Sequence, residues 1–376
     1  MNYRNTLIAV LLAATLLFSL FTVFVMSGER LTLSAKSATL YEPSTRSFLF
    51  EKNSSVRLPM ASTTKIMTAL VALENAGLQD AVIIDERSHG IEGSSAYLSL
   101  GDRYTLEEML YALMLSSAND AAVAIACTVG GSVEGFVDLM NQKCEELSLC
   151  DTHFENPSGL DADGHYTTAK DLARLTAHAL ENSVFRELCS TYKRTIGEQG
   201  STRHLVNHNK LLKQYPDAIG VKTGYTKKCG RCLVSAAERD GVTLVAVTLD
   251  APNDWQDHKR LLDFGFDSVE LTEIAKIGEF DFKLPVTFTE NGYITAKNER
   301  SIKIPLRKGA DVSYDVQLPQ YITPPVRVGD VLGKIKFNID GNYACELDII
   351  CKEINITEEK QSLFSKLFRK NNNFGD

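Results

Sequence analysis

Apolar and polar positions alternate along this chain in blocks that predict its elements. Residues Leu7 to Met26 are uncharged and mostly apolar, preceded by Arg4. That length crosses a bilayer as an anchor and equally suits a cleaved signal segment with Val25-Met-Ser27 as a poor cleavage site. The positive-inside rule puts everything after Met26 on the outer face in both cases. From Ser62 to Ala76 the chain is apolar nearly all round and stops at Gly77, which predicts a buried helix. Leu106 to Leu115 predicts an amphipathic helix. Asn119 to Val129 predicts another, apolar and alanine-rich, closing at Gly130-Gly131. Ala218 to Thr226 reads as a strand, with Cys232 to Ala237 and Val242 to Leu249 as hairpin neighbours joined at Asp240-Gly241. Asp257 to Phe266 is helix-like.

The pattern then changes. From about Ile274 to Ile356 short alternating stretches recur (Tyr293-Ile-Thr-Ala296, Ser301-Ile-Lys-Ile304, Val312 to Val316, Gly333 to Phe337), with Asp340-Gly341 as a hairpin tip. They predict a small all-β domain without a catalytic constellation. The tail from Ser362 to Lys370 gathers Leu363, Phe364, Leu367 and Phe368 on one helical face beside Lys366, Arg369 and Lys370. That suits either an interfacial membrane helix or a frayed surface helix.

Three short strings carry chemistry: Ser62-Thr-Thr-Lys65, Ser117-Ala-Asn119 and Lys222-Thr223-Gly224. Residues at i and i+3 share a helix face, so Ser62 and Lys65 can touch. A serine hydroxyl needs such a proton acceptor to become a nucleophile. Burial at the start of an apolar helix lowers the pKa of Lys65 towards that of a usable base. Each string has a plain reading as well. S-x-x-K recurs at Ser190-Thr-Tyr-Lys193, in a polar run with no burial signal. Ser117 and Asp120 also fit a helix N-cap and its capping box. All three strings in order, each on the element its chemistry requires, describe a serine acyl-transfer site with lysine as base.

This pattern resembles the penicillin-binding proteins and serine β-lactamases, most closely the low-molecular-mass D-alanyl-D-alanine carboxypeptidases of the peptidase S11 family. The likeness runs through Ala35-Lys-Ser-Ala38, Ala61 to Leu70, Asn156-Pro-Ser-Gly-Leu160, Gly164-His-Tyr-Thr-Thr168, Asn207-His-Asn209 and Lys222-Thr-Gly-Tyr-Thr226. It implies an α/β (α+β) β-lactamase/transpeptidase-like fold with a mainly antiparallel sheet and helices, followed by the small all-β domain. The expected division is 1–28 signal or anchor, 31–270 catalytic, 274–356 β domain and 357–376 amphipathic tail. The β domain, in that family, holds the catalytic domain off the membrane.

Carried over by motif, Ser62 would be the acylated nucleophile, Lys65 its general base and Ser117 the proton relay. Lys222 would hold that network electrostatically and Thr223 would bind the substrate's terminal carboxylate. Asn119 would bond the substrate backbone. The N–H groups of Ser62 and of Tyr225, which follows Gly224, would form the oxyanion hole. Two positions depart from some relatives: Tyr225 stands where they have His, and His208 where they carry Arg. The implied substrate is a peptidoglycan stem pentapeptide ending in D-Ala-D-Ala, and β-lactams would acylate the same serine. A D,D-endopeptidase acting on cross-links and a silent penicillin-binding sensor or scaffold stay open beside it. A class A β-lactamase is disfavoured, because an E-x-x-L-N motif is not evident between Asn119 and Lys222 and the β domain is additional.

The remaining composition narrows the partners. A net charge of −8 excludes a basic field for nucleic acid. The seven histidines lack metal-ligand spacing, no phosphate-binding glycine loop occurs, and no metal or cofactor is expected. His165 reads as structural. Of eight cysteines, Cys229 and Cys232 form a lone C-x-x-C read as separate thiols, and Cys345 and Cys351 share a strand face too far apart to bridge. The location that follows is the extracytoplasmic face of a bacterial membrane.

Overall fold

The computed structural model describes residues 31–356 apart from 199, 288 and 290. The N-terminal apolar segment and the amphipathic tail, with the calls made on them, lie outside the described residues. Among the described residues no single helix is long and apolar enough to cross a membrane.

The organising element is a five-stranded antiparallel sheet, in the order Ser47–Lys52, Ser37–Glu42, Val242–Leu249, Gly230–Arg239, Ala218–Thr226. Most residues of its inner strands are buried, because both faces are covered. Val245 and Val247 face the larger core, whereas Leu244 and Ala246 face a smaller one. The helix Asp254–Ser268 seals the smaller core with Leu261 and Leu262. The segment between Lys52 and Ala218 is largely helical and fills the other face. At its centre lies the helix Lys65–Asn75, in contact with the helices Leu106–Leu115, Asn119–Val129, Val133–Glu146 and Ala169–Ala179. Ile66, Met67, Leu70 and Val71 of that helix are buried. Each such burial stabilises the fold by roughly 1.5–3 kcal/mol.

Two expectations change. The buried helix begins as a 3-10 turn, Ala61–Thr64, before the α-helix Lys65–Asn75. The helix Leu106–Leu115 is not amphipathic: only Glu107 and Glu108 escape full burial, because this helix is enclosed from several sides. Its start is set by a capping box, in which the Thr105 hydroxyl accepts from the Glu108 N–H and the Glu108 carboxylate accepts from the Thr105 N–H.

The strands after Val269 form two further antiparallel sheets. Val269–Ala275 pairs with Ile302–Arg307. Five strands follow in the order Asp281–Pro285, Tyr293–Lys297, Asn342–Asn355, Val331–Ile339, Val312–Gln317. Their own core holds Ile294, Ile335, Phe337, Leu347, Ile349 and Cys351. Asp340 and Gly341, both at positive φ, turn the hairpin between Ile339 and Asn342 as expected, and Asp240-Gly241 does the same in the first sheet. The α/β class with an antiparallel sheet and a C-terminal all-β region is as the sequence implied.

Candidate active site

The edge strand Ala218–Thr226 runs alongside the 3-10 turn that carries Ser62. Glycine eases this approach, since a Cβ on Gly224 would lie a tight 3.1 Å from both the Ser62 nitrogen and the Met60 oxygen. On the turn's other flank is the loop Asn156-Pro-Ser-Gly-Leu160. There the Asn156 carbonyl oxygen (Oδ1) accepts from the N–H groups of Ser158, Gly159 and Leu160 at 3.2, 2.7 and 3.1 Å. Gly159 has φ +88°, and a Cβ on it would fall 2.0 Å from the Ala61 oxygen. The turn is clamped between two glycine contacts.

Ser62 and Lys65 meet. In a 3-10 turn residues i and i+3 eclipse, and the Lys65 Nζ to Ser62 Oγ distance is 3.0 Å. Lys65 is 0% exposed and donates also to Asn119 Oδ1 at 2.7 Å and to the Ser158 carbonyl at 2.5 Å. These two acceptors take the two hydrogens of a neutral amine, which leaves its lone pair for the Ser62 hydroxyl. Burial holds the pKa of Lys65 well below the usual lysine value, Lys222 pushes the same way and Asp120 opposes. Lys222 is 1% exposed, and burial lowers it to about 7, with the Cys189 thiol opposing. Its ammonium donates to the Thr223 carbonyl at 3.0 Å.

Ser117 sits on the connection between two helices, but not as an N-cap. The cap position is Ala118, with no side-chain cap, and Ser117 takes φ +58°. A left-handed serine costs about 1–2 kcal/mol, an outlay found where geometry serves a site. Asp120 was read as part of a cap. Instead its buried carboxylate accepts from Ser95 Oγ at 2.6 Å and from the N–H groups of Ala96 and Leu98, and so ties down the loop beside the cleft. Asn119 donates from Nδ2 to the Glu92 carbonyl at 2.7 Å and keeps one N–H in reserve. The cleft, about 350 Å³, is lined by Ser62, Ser94, Ser117, Thr223, Gly224 and Tyr225, among others.

The alternative S-x-x-K string is not a site. Ser190 ends a surface helix and donates to the Glu187 carbonyl, while Lys193 is exposed at a strand start. His165 supports the turn that carries Ser62. Its Nδ1 accepts from the Glu155 N–H, which leaves Nε2–H for Thr64 Oγ1 at 2.7 Å, and burial lowers the ring to about 4. Its structural reading holds.

A family model for D-alanyl-D-alanine carboxypeptidases (peptidase S11) matches residues 24–253. The chain belongs to that family. It is 34% identical over 337 residues to the D-alanyl-D-alanine carboxypeptidase DacF of Bacillus subtilis, covering 86% of this chain and 87% of the relative. The fold superposes on penicillin binding protein 5 of Haemophilus influenzae with a TM-score of 0.69 at 25% identity, covering 86% of this chain and 98% of that one. A mutant of the Streptomyces K15 DD-transpeptidase aligns along all its length but covers 63% of this chain (TM-score 0.60, 34% identity).

In this carboxypeptidase the two departures both fall on the rim. Tyr225 is 65% exposed, on the strand that runs beside the turn carrying Ser62, and it lines the cleft. His208 donates its N–H to the Leu115 carbonyl at 3.2 Å, and its side chain lines the cleft beside Ser117 and Thr223. Sequence reasoning missed the carbonyl of Ser158 as a partner of Lys65. It also missed Arg231, which lines the cleft while bridging to buried Asp254 at 2.9 Å. Neither carries a local signal, because one is a backbone atom and the other depends on a partner 23 residues away. Cys229 and Cys232 are free, with sulfurs 4.0 Å apart behind the end of the edge strand. Cys345 and Cys351 are free as well.

Proposed function

We propose that this chain is a serine D,D-carboxypeptidase that removes the terminal D-alanine from peptidoglycan stem peptides, with Ser62 as nucleophile. The carrying observation is the bonding of Lys65: a fully buried amine 3.0 Å from Ser62 Oγ, with the Asn119 Oδ1 and the Ser158 carbonyl as its two other partners and a pKa that burial holds well below the usual lysine value. Lys65 takes the hydroxyl proton as Ser62 Oγ attacks the carbonyl of the penultimate D-alanine. The oxyanion forms between the N–H groups of Ser62 and Tyr225, donors fixed by the clamped turn and by the sheet. The amine leaves with a proton passed through Ser117. Water then hydrolyses the ester and Ser62 is restored.

Lys222, buried next to Thr223 and donating to its carbonyl, suits a substrate ending in a carboxylate held by the Thr223 hydroxyl. The spare N–H of Asn119 serves the substrate's backbone, as does the open edge of the strand Ala218–Thr226. β-Lactams acylate the same hydroxyl. The separate cores support a division into a catalytic domain, 31–270, and a β domain, 274–356, with the strand Val269–Ala275 at the junction. A substrate in the cell wall requires the extracytoplasmic face of the membrane, with residues 1–28 and 357–376 as the attachments. Digestion and mass spectrometry after incubation with benzylpenicillin tests the assignment. The penicilloyl adduct is expected on the peptide containing Ser62, and an adduct elsewhere would overturn it.

A further inference from the structure

The Cys-x-x-Cys string at 229–232 has no part in the acyl-transfer chemistry, yet the fold brings its two sulfurs to 4.0 Å. The sequence reads them as separate thiols; the hairpin makes them a pair. Thr226 pairs with Gly230 across the sheet, so residues 227–229 form the turn, which Gly230 closes at φ +67°. Cys232 lies two residues further along the returning strand, opposite Gly224. Both cysteines are buried, at 3% and 0% exposure.

Their surroundings differ. Cys232 is fixed within the sheet, and its S–H is directed at the Cys229 sulfur and at the Pro59 carbonyl, 3.9 Å away. Cys229 is held by its own turn. Its N–H donates to Thr226 Oγ1 at 3.1 Å, and the Thr226 hydroxyl lies 3.2 Å from its sulfur. The same hydroxyl donates to Asp161 Oδ1 at 2.9 Å. One O–H is therefore divided between a sulfur and a carboxylate. The bond from Cys232, and after it the bond from Thr226, lowers Cys229 to about 7 against the opposing effect of burial. The same shared bond, together with burial, pushes Cys232 well up. A readily ionised sulfur beside a protonated one suits attack by the first and resolution by the second.

We propose that Cys229 and Cys232 form a redox site that a small peroxide closes into a disulfide, stapling the turn at the end of the strand Ala218–Thr226. The Cys229 thiolate attacks one oxygen of the peroxide. The O–O bond breaks, and hydroxide leaves and takes up the proton that Cys229 had lost. The Cys232 sulfur then bonds to the sulfur of the Cys229 sulfenic acid. The S–O bond breaks, and the Cys232 proton departs with the hydroxyl as water. The pair gives up two electrons, and hydrogen peroxide is reduced to two waters. An S–S bond of about 2 Å requires the sulfurs to close by about 2 Å more. Cys232 is held by the ladder, so the turn supplies that movement. The Thr226 hydroxyl, released from the sulfur, then bonds to Asp161 alone. Asp161 follows the loop whose Ser158 carbonyl accepts from Lys65, so closure tightens the edge strand against that loop. Nothing in this step depends on the chemistry of Ser62.

The test uses the full chain in detergent, reduced with dithiothreitol, desalted and exposed to stoichiometric hydrogen peroxide. After alkylation in denaturant, trypsin cuts behind Lys228, Arg231 and Arg239, so the two cysteines fall in different peptides. The expected product is peptide 229–231 joined to peptide 232–239, two hydrogens lighter than their sum and lost on renewed reduction. Oxidation is expected to raise Tm by about 3 °C or more, and Cys229→Ser to show neither change. Cys150, the exposed thiol, shows that peroxide has acted on the protein. Oxidised Cys150 beside fully alkylated Cys229 and Cys232 would overturn the proposal. So would either peptide joined to a different cysteine, or a Tm that stays level or falls when the two are joined.

Discussion

Gly159→Ala puts the clamp around the nucleophile to the test without touching a residue that contacts substrate. Gly159 has φ +88°, where an L-residue pays about 1–2 kcal/mol. The added Cβ would lie 2.0 Å from the Ala61 oxygen, 2.4 Å from the Ala61 carbonyl carbon and 2.9 Å from the Ser62 nitrogen. Ordinary contact begins near 3.4 Å, so the loop and the turn must separate by about 1 Å or more. All three atoms are backbone, and no side chain can swing aside. The separation moves either the Ser62 N–H, an oxyanion donor, or the neighbouring Ser158 carbonyl that fixes Lys65. A misplacement of about 1 Å costs roughly a hundredfold in rate. Conformational cost and imperfect relaxation together come to about 2–3 kcal/mol of stability, or roughly 5–10 °C in Tm for a catalytic unit of this size. The assay is the second-order rate of acylation by a fluorescent penicillin, measured at a temperature where circular dichroism shows the variant folded. Acylation within twofold of wild type would refute the clamp.

Other expectations follow from the same geometry. Lys65→Arg keeps the charge but cannot give up a proton, so acylation should fall by about 10²–10⁴-fold, the usual worth of a general base; a rate within fivefold of wild type would remove Lys65 from that role. The acylation rate should rise with pH to a half-point well below 10.5, since it is the neutral amine that accepts the proton and burial depresses its pKa; a rise still continuing at pH 10 would contradict this. His165 and His258 are buried neutral, lowered to about 4 and about 3 from an unfolded value near 6.5. The unfolded chain therefore binds protons that the folded one refuses as pH drops below 6.5, and stability is lost in that direction. At pH 5 each contributes a loss of about 2 kcal/mol relative to pH 7.5; a Tm that stays level from pH 7.5 to 5 would refute the assignment. Cys150 is the exposed thiol and Cys345 is half-buried, so a bulky thiol reagent should label Cys150 first; rapid labelling of Cys229 or Cys232 in the folded protein would show that the edge strand opens.

Much of the architecture was legible because burial writes itself into sequence. The strand Val242–Leu249 and the helix Asn119–Val129 are mostly apolar runs with turn residues at their ends, and the strand Ala218–Thr226 is marked by Ile219 and Val221 ahead of its motif. The structure keeps those limits. The three motif strings gave residues that the structure brings together: Ser62 and Lys65 in contact, and Ser117, Thr223 and Gly224 on the walls of the same cleft. What escaped depends on partners rather than on local pattern. The helix Leu106–Leu115 carries two adjacent glutamates and so looked amphipathic, yet Glu108 serves as a cap and the remaining faces are enclosed by neighbours distant in sequence. Ser117 and Asp120 had the spacing of a capping box. Asp120 instead serves the loop 95–98, some twenty residues upstream. Ser158 acts through its carbonyl, which no side-chain pattern can announce. Arg231 and Trp255 gain meaning only because the sheet brings the residue after Gly230 next to the start of the last helix of this region.

The central claim is a lysine-activated Ser62 that hydrolyses D-Ala-D-Ala ends. The most direct measurement is release of D-alanine from diacetyl-L-Lys-D-Ala-D-Ala by the purified chain, with Ser62→Ala alongside and fluorescent penicillin labelling of both. Release and labelling by wild type, both lost in Ser62→Ala, are the expected result. Release that persists in Ser62→Ala, or a folded wild type that neither releases D-alanine nor takes the label, would contradict it.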